Sequence, residues 1–308
     1  MSLAFVFPGQ GSQSQGMLLD LADNYSIVGE TFKQASDRLG YDLWQIVQEG
    51  PAEKLNSTDV TQPAMLAAGV ATWRVWQDKG GNAPAMMAGH SLGEYTALVC
   101  AGSLDFADAI GLVAERGRLM QEAVPAGEGA MAAILGLEDD AVRQACEDAA
   151  EGEVLSPVNF NSPGQVVAAG NKGAIERLVG LAKERGAKRA LVLPVSVPSH
   201  CSLMQPAADK LAEVLSGIDV QAPQIPVINN VDVASPDDPA AIRDALVRQL
   251  YNPVRWVETI QKMATDGVDR LIECGPGKVL VGLNKRIDKT MAAEAVFDPA
   301  SLNAALGQ

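Results

Sequence analysis

The sequence predicts an α/β fold that combines a largely parallel sheet, covering helices and one inserted subdomain. Short apolar runs alternate with longer amphipathic runs along the 308 residues, which is typical of strands and helices that follow one another in a parallel sheet. This alternation breaks between residues 130 and 195, where two predicted strands follow each other directly. No internal repeat and no low-complexity segment indicates a different architecture.

Each element is predicted from the period of its apolar residues and from the turn residues around it. The predicted strands cover residues 3–7, 85–89, 130–135, 154–160, 165–170, 189–195, 225–230 and 268–273. The predicted helices cover residues 17–24, 27–40, 62–79, 92–101, 105–123, 138–150, 172–185, 203–216, 237–251, 254–266 and 278–287.

The segment from residue 130 to 195 has the order strand, helix, strand, strand, helix, strand, which is that of a ferredoxin-like unit. Its two middle strands meet at residues 161–164, where Asn, Ser, Pro and Gly suit a hairpin turn. Stretches rich in Gly and Pro flank the segment. We therefore expect a ferredoxin-like subdomain at 126–197, inserted into a core domain formed by 1–125 and 198–308.

The composition excludes several classes of protein. A net charge of −14 opposes nonspecific binding to nucleic acid and gives no reason to expect an anionic membrane as a partner. No apolar window of about 20 residues predicts a transmembrane helix, and no basic segment precedes the first apolar run, so no signal peptide is expected. The four cysteines lack metal-binding spacing, which predicts a cytoplasmic protein with reduced thiols.

Ser91 lies in the sequence GHSLG (residues 89–93), which matches the G-x-S-x-G pattern of a nucleophile elbow. In an elbow, a sharp turn between a strand and a helix exposes the central side chain, and small residues on either side prevent collisions. The predicted strand and helix around Ser91 supply this context, and the helix start supplies backbone N–H groups for an oxyanion. The alternative is a strand-to-helix turn without chemistry.

A serine nucleophile needs a base, and the chain has two histidines, His90 and His200. Side chains of adjacent residues diverge at a sharp turn, so His90 is expected to point away from the Ser91 hydroxyl and to brace the loop or the core. His200 lies between a predicted strand and a predicted helix, a loop position suited to a catalytic group. Elimination favours His200 as the base; the alternative is a surface loop histidine.

The glycine-rich loop at residues 8–16, PGQGSQSQG, does not match a phosphate-binding motif. Ser14 stands where G-x-G-x-x-G needs a glycine, and Met17 stands where the Walker A motif needs a lysine. Such a loop after a first strand still offers backbone N–H groups to an anion. An oxyanion-hole donor and a tight turn without chemistry therefore both fit.

Arg116 falls on the apolar stripe of the predicted helix 105–123, whereas Arg118 does not. A guanidinium on a buried face needs an anion, because an unpaired buried charge is costly. A clamp for a substrate carboxylate satisfies this need, since a guanidinium binds a carboxylate in a bidentate manner. The alternatives are an internal salt bridge and a surface arginine.

Seven segments, in their order and spacing, resemble the malonyl-CoA:acyl carrier protein transacylases, which are acyltransferases of fatty-acid and polyketide synthesis. The segments are FVFPGQGSQ, GHSLGEYTAL, RGRLMQEA, GAMAAI, VSVPSH, YNPVRW and ECGPGKVL. The resemblance covers essentially the whole chain. It implies an α/β-hydrolase-like core with a parallel sheet plus an inserted ferredoxin-like subdomain, in agreement with the predicted order of elements.

The resemblance also implies a role for each site residue. Ser91 is the expected nucleophile, His200 its base, and Arg116 the group that holds the malonyl carboxylate. The oxyanion hole is expected to consist of two backbone N–H groups, those of Gln10 and Leu92.

Two further residues have implied supporting roles. Gln249 is expected to orient the base through its backbone carbonyl. His90 is expected to support the elbow. No aspartate or glutamate is singled out by the sequence as a third member of a triad.

The expected reaction is a two-step transfer of a malonyl group from malonyl-CoA to the phosphopantetheine thiol of acyl carrier protein, in fatty-acid biosynthesis. No metal and no cofactor are expected, since the CoA thioester is the substrate and the histidine and oxyanion hole supply the chemistry. CoA and the carrier protein are anionic, so contact is expected to rely on local basic groups such as those at 183–189 and 285–289. Each of these clusters also fits a solvated helix end. A monomer is expected.

Two other classes of function stay open at this point. One is a serine esterase or thioesterase that passes the acyl group to water, and Arg116 on the apolar stripe argues against neutral acyl groups. The other is a carrier-protein binding module without activity. The combination of Ser91, His200 and the glycine-rich loop argues against such a module.

Overall fold

The computed structural model describes residues 2–195 and 197–307, which form two β-sheets surrounded by helices. The strands are β1 (Leu3–Phe7), β2 (Met86–Gly89), β3 (Gly129–Leu135), β4 (Leu155–Ser162), β5 (Gln165–Asn171), β6 (Arg189–Val192), β7 (Val227–Ile228), β8 (Arg270–Cys274) and β9 (Ala292–Val296). The helices are α1 (Leu19–Asn24), α2 (Ser26–Leu39), α3 (Leu43–Glu49), α4 (Ala52–Leu55), α5 (Thr58–Asp78), α6 (Leu92–Cys100), α7 (Phe106–Ala123), α8 (Asp139–Ala150), α9 (Lys172–Glu184), α10 (Gln205–Ser216), α11 (Pro239–Gln249), α12 (Trp256–Thr265), α13 (Val279–Ile287) and α14 (Pro299–Leu306). A 3₁₀ helix, Ser202–Met204, precedes α10.

The first sheet has five parallel strands in the order β7-β2-β1-β8-β9. Every residue of the central strand β1 is buried: Phe5 and Phe7 pack into one apolar core, and Ala4 and Val6 pack into another on the opposite face. Burial on both faces is typical of parallel sheets and explains the continuous apolar sequence. The loops after β1 and β2 leave the same edge of the sheet, where ligands bind in such folds.

The second sheet is antiparallel and has the order β4-β5-β3-β6. Helices α8 and α9 contribute apolar residues to a separate core with these strands. The chain order β3-α8-β4-β5-α9-β6 is the ferredoxin-like one, so the predicted combination of a parallel sheet with an inserted ferredoxin-like unit is confirmed. The boundaries of that unit, residues 126 and 197, stay a prediction.

Several element predictions were wrong in detail. Helices α3, α4 and α14 and strand β9 were missed, since each is too short to show a clear apolar period. Helix α5 begins at Thr58, not at residue 62, and includes Pro63. Strand β7 has two residues, not six: its pairing with β2 stops at Ile228, and the Asn230 side chain bonds to the end of β2 and to the turn that follows it. Within the described residues, no helix is long and apolar enough to cross a membrane.

Candidate active site

Ser91 occupies a sharp turn between β2 and α6, with φ of 52° and ψ of −109°. A positive φ is unusual for a residue with a side chain and persists where the surroundings enforce it. The flanking glycines allow the close packing that does so. A Cβ atom at Gly89 would lie 1.8 Å from the carbonyl carbon of Gly93, and one at Gly93 would lie 2.1 Å from the carbonyl oxygen of Phe7. The motif therefore lets the turn pack directly against the end of β1.

His200 lies beside the Ser91 side chain, with Nε2 2.8 Å from Oγ. Its Nδ1 lies 2.7 Å from the backbone carbonyl oxygen of Gln249. A carbonyl only accepts hydrogen bonds, so it holds the proton on Nδ1 and leaves the Nε2 lone pair directed at the serine. The backbone N–H of His200 donates to the carbonyl of Leu250 at 2.9 Å, which fixes the loop. The structure thus brings three predicted residues into the geometry of nucleophile, base and orienting group.

Burial keeps the His200 imidazole neutral. The residue is 3% exposed, and burial together with the nearby positive charge of Arg116 lowers its pKa to about 3. A base whose pKa is lowered stays unprotonated above that value. His200 is therefore able to accept a proton throughout the neutral range.

The His90 side chain is engaged away from the serine hydroxyl. Its Nε2 lies 2.8 Å from Oδ1 of Asn161 in β4, and its ring centre lies 5.5 Å from that of Trp256. Its backbone carbonyl accepts the N–H of Gly93 at 2.9 Å, and burial lowers the pKa of its imidazole. These contacts connect the elbow to the second sheet, as a bracing role requires.

The loop after β1 packs against the elbow. A Cβ atom at Gly9 would lie 2.4 Å from the carbonyl oxygen of His90, so the close approach needs a glycine there. Gln10 and Leu92 both line the cavity next to Ser91. Across residues 2–195 and 197–307, no protein acceptor takes the backbone N–H of either residue. Two such donors beside a nucleophile are what an oxyanion needs.

Arg116, in α7, is 1% exposed. Its Nη1 donates to Oε1 of Gln62 at 2.8 Å, and its Nη2 donates to Oε1 of Gln249 at 3.0 Å. The same Nη2 lies 3.3 Å from Oγ of Ser91, and Cζ lies 5.3 Å from the ring centre of Tyr95. All of these partners are neutral.

A buried cation with neutral partners is costly, and a bound carboxylate relieves that cost. Burial lowers the pKa of Arg116, but a guanidinium starts so high that it stays charged at neutral pH. Its Nε is buried and has no partner among the described residues. The guanidinium is therefore suited to an anion that enters from outside the protein.

Three polar residues of the site escaped the sequence analysis: Gln62, Glu94 and Asn230. The Asn230 side chain spans the elbow, since its Oδ1 accepts the N–H of Ser91 and its Nδ2 donates to the carbonyl of Gly89, both at 2.7 Å. Glu94 is 2% exposed, and its Oε2 accepts the N–H of Asn230 at 2.9 Å and Nε2 of Gln249 at 2.8 Å. The sequence did contain a signal for Glu94, because an acidic residue stands in the first turn of a mostly apolar helix. It contained no such signal for Gln62 or Asn230.

Ser91, His200 and Arg116 line a cavity of about 130 Å³. Met131 in β3 and Asn159 in β4 form part of its wall, as do Arg116 and Met120 in α7. A largely apolar cavity that contains the Arg116 guanidinium and the Ser91 hydroxyl suits a short acyl group that ends in a negative charge. Among the residues that the structure describes, no group of three or more His, Cys, Asp or Glu side chains is arranged to hold a metal ion.

The chain is similar in sequence to known acyltransferases. Residues 4–296 match the acyl transferase domain family. The chain is 64% identical over 305 residues to the malonyl CoA-acyl carrier protein transacylase of Salmonella typhimurium, with 99% of each chain covered. It is 45% identical over 305 residues to the protein of the same name from Bacillus subtilis, covering 99% of this chain and 96% of that one.

Solved structures agree with the sequence comparison. An acyl carrier protein S-malonyltransferase from Vibrio cholerae superposes with a TM-score of 0.97 at 65% identity, covering 99% of both chains. A malonyl-transacylase in complex with a type II polyketide synthase acyl-carrier protein superposes with a TM-score of 0.99 at 62% identity, covering 100% of this chain and 99% of that one. Fold and sequence together define an acyltransferase. The chain belongs to the acyl transferase domain family, which confirms the resemblance seen in its sequence.

Proposed function

We propose that the protein transfers a malonyl group from malonyl-CoA to the phosphopantetheine thiol of acyl carrier protein, in fatty-acid biosynthesis. The names of its relatives and the match to the acyl transferase family support this reaction. The observation that carries the substrate class is the buried Arg116 guanidinium, 3.3 Å from the Ser91 hydroxyl and bonded to neutral groups. It suits an acyl group that ends in a carboxylate.

In the first step, the Ser91 hydroxyl oxygen attacks the thioester carbonyl while His200 Nε2 takes its proton. The backbone N–H groups of Gln10 and Leu92 donate to the oxyanion of the tetrahedral intermediate. The carbon–sulfur bond then breaks, and His200 returns the proton to the departing CoA thiolate. The product is a malonyl ester of Ser91.

The second step reverses the first with another thiol. His200 takes the proton of the phosphopantetheine thiol, whose sulfur attacks the ester carbonyl. The ester bond breaks, and the same proton returns to the Ser91 oxygen. Because the two half-reactions share one geometry, the site needs no rearrangement between them.

Arg116 has two effects in this scheme. It holds the malonyl carboxylate in both half-reactions, which places the carbonyl carbon near Ser91. Its positive charge is also one cause of the lowered pKa of His200. A bound carboxylate offsets that charge, so substrate binding raises the basicity of His200 at the moment when a base is required.

Hydrolysis of a neutral acyl group is the competing reaction on the same elbow. An esterase has no use for a buried cation next to its nucleophile, because a neutral acyl chain leaves that cation unpaired. Release of free malonate without transfer to a thiol would favour a hydrolase. Absence of any acyl-enzyme would favour a carrier-protein binding module.

The remaining parts of the proposal concern partners and location. Malonyl-CoA and acyl carrier protein are the proposed partners, with the CoA thioester as a substrate and not a resident cofactor. The protein carries a net charge of −14, so contact with an acidic carrier protein is proposed to use local basic groups. A cytoplasmic location is part of the same proposal, as are the domain boundaries 126 and 197.

Intact-mass measurement after incubation with malonyl-CoA or acetyl-CoA, without carrier protein, tests the function. We expect wild-type protein to form a malonyl adduct that is absent in Ser91→Ala. Arg116→Ala should lose the malonyl adduct to a greater extent than the acetyl adduct. Arg118→Ala, on the exposed face of the same helix, is the matched control and should keep the malonyl adduct. The proposal would be contradicted if the wild-type protein neither forms an adduct nor releases malonate.

A further inference from the structure

The Glu94 carboxyl group lies inside the site but takes no part in the proposed reaction. It is 2% exposed, and Oε2 accepts two hydrogen bonds, from the backbone N–H of Asn230 and from Nε2 of Gln249. The same Gln249 side chain accepts a hydrogen bond from Arg116 through Oε1. The amide of Gln249 therefore lies between a carboxyl group and a guanidinium.

The chemistry of these groups leaves that amide one orientation. A guanidinium only donates hydrogen bonds and a carboxylate only accepts them. The Gln249 amide satisfies both when its oxygen faces Arg116 and its nitrogen faces Glu94. The reverse orientation would place N–H groups against the guanidinium and leave the carboxylate facing an oxygen. Glu94 thereby ensures that Arg116 meets an acceptor.

The acceptor on the other side of the guanidinium, the Gln62 amide, has no carboxyl group to hold it in place. Arg116 Nη1 donates to the amide oxygen of Gln62, but the sole hydrogen-bond partner of Gln62 Nε2 within the described residues is the sulfur of Met120, at 3.6 Å. A thioether is a weak acceptor and holds the amide loosely. The Gln249 amide is held by Glu94 at 2.8 Å and by the backbone carbonyl of Ser91 at 3.1 Å. Of the two amides that bind the guanidinium, Gln249, next to Ser91, is therefore held more firmly than Gln62.

We propose that Glu94 is a positioning residue that sets the selectivity for malonyl groups, by holding the Gln249 amide and through it the Arg116 guanidinium. This inference rests on the proposed function. A direct ion pair between Glu94 and Arg116 would occupy the guanidinium and compete with the substrate carboxylate. Placing an amide between the two charges fixes the cation while leaving it able to bind an anion.

The arrangement does not depend on the ionisation of Glu94. Burial raises the pKa of this carboxyl group to about 7. Both hydrogen bonds reach Oε2, so a proton on Oε1 leaves the acceptor in place. A glutamine at this position also has one oxygen to offer. The conservative variant Glu94→Gln should therefore retain the positioning effect.

A double-mutant cycle on substrate selectivity tests the proposal. The quantity measured is the ratio of kcat/KM for acylation by malonyl-CoA to that by acetyl-CoA, which does not depend on the fraction of folded enzyme. We expect Glu94→Ala to lower this ratio about tenfold, the effect of a lost hydrogen bond in a charged network, and Glu94→Gln to keep it within about twofold. In a Gln249→Leu background, which keeps the backbone carbonyl that faces His200, adding Glu94→Ala should lower the ratio no further.

A purely structural role gives different results. Glu94 also holds the N–H of Asn230, which spans the elbow, and damage to the elbow would slow both substrates equally. An unchanged ratio in Glu94→Ala, or additive effects in the cycle, would overturn the inference. If Glu94→Ala fails to fold, Glu94→Leu fills the same space without an acceptor. Glu273→Gln is the control for loss of a buried carboxyl group and should keep the ratio.

The proposed function and this inference fail separately. Wild-type enzyme without a malonyl adduct contradicts the function itself. If the wild-type enzyme prefers malonyl-CoA and Glu94→Ala shows the same preference, only the proposed role of Glu94 is contradicted.

Discussion

Nε2 of His200 lies 2.8 Å from Oγ of Ser91, although the two residues are 109 positions apart in the sequence. Both have a positive φ, 52° at Ser91 and 67° at His200. Such conformations persist only where the surrounding structure holds them. For Ser91 the restraint comes from the packing of the elbow on β1, and for His200 it comes from two backbone carbonyls, those of Gln249 and Leu250. The pair is therefore a product of the fold and not of either local sequence.

The two histidines should differ sharply when each is replaced. His200→Ala removes the proposed base, so acylation by malonyl-CoA should slow by about 10³-fold or more. His90→Ala removes a hydrogen bond to Asn161 but no proton acceptor, so we expect a lower melting temperature and a loss of activity below about tenfold. Rapid-quench measurement of the acyl-enzyme gives the rates, and thermal unfolding gives the stability. Equal rate losses in the two variants would contradict the assignment of the base.

The pH dependence of acylation should reflect the lowered pKa of His200. An ordinary histidine has a pKa near 6.5 and loses its function as a base below that pH. The pKa of His200 is about 3, below the ordinary value, so the imidazole stays neutral as the pH falls through 6.5. The kcat/KM for acylation by acetyl-CoA should therefore show no loss attributable to His200 between about pH 8 and pH 5.

Removal of Arg116 should change this profile in a defined direction. Arg116 is the second cause of the lowered pKa, after burial, so Arg116→Ala should raise the pKa of His200 toward its ordinary value. The acetyl-CoA profile of the variant should then fall at a higher pH than that of the wild type. Glu94 titrates near pH 7, and Glu94→Gln removes that titration as a control. An inflection near 6.5 in wild-type protein that survives in Glu94→Gln would show that His200 is not held neutral.

The geometry of the Arg116 guanidinium should matter as well as its charge. Arg116→Lys keeps a positive charge but loses the planar fork that pairs with a carboxylate. We expect the kcat/KM for malonyl-CoA to fall about tenfold in Arg116→Lys and about 100-fold in Arg116→Ala, while values for acetyl-CoA change less. Steady-state transfer to carrier protein measures both. A lysine variant equal to wild type would show that charge alone holds the substrate.

Sequence periodicity was enough to locate strands β1 to β8, because most of them contain a short apolar run beside turn residues. It was also enough to place Arg116 on a buried face, where the structure has it 1% exposed. Short elements were harder. The edge strand β9 has the sequence AAEAV, in which three alanines hide the strand preference.

The polar groups around Ser91 could not be predicted, since their partners are distant in the chain. Asn230 reaches the elbow across 139 positions, and Gln62 reaches Arg116 across 54. Neither residue lies in a motif with a known mechanism, and an isolated amide is usually a surface residue. Glu94 is different, because a carboxyl group in a helix that is otherwise apolar indicates an unseen partner.

The close packing of the elbow on β1 should be visible as stability. A Cβ atom at Gly93 would lie 2.1 Å from the backbone oxygen of Phe7, and neither backbone segment is free to move. Gly93→Ala should therefore lower the free energy of unfolding by about 1–3 kcal/mol and slow acylation, because the elbow must shift. Gly180→Ala is the matched control: Gly180 lies within α9 on an exposed face, where an added Cβ would meet no atom within 4 Å beyond its chain neighbours and the backbone of its own helix. It should raise the free energy of unfolding by roughly 0.5–1 kcal/mol and leave acylation unchanged. Urea unfolding of both variants supplies the comparison, and a Gly93→Ala protein as stable and active as Gly180→Ala would show that the elbow does not depend on this contact.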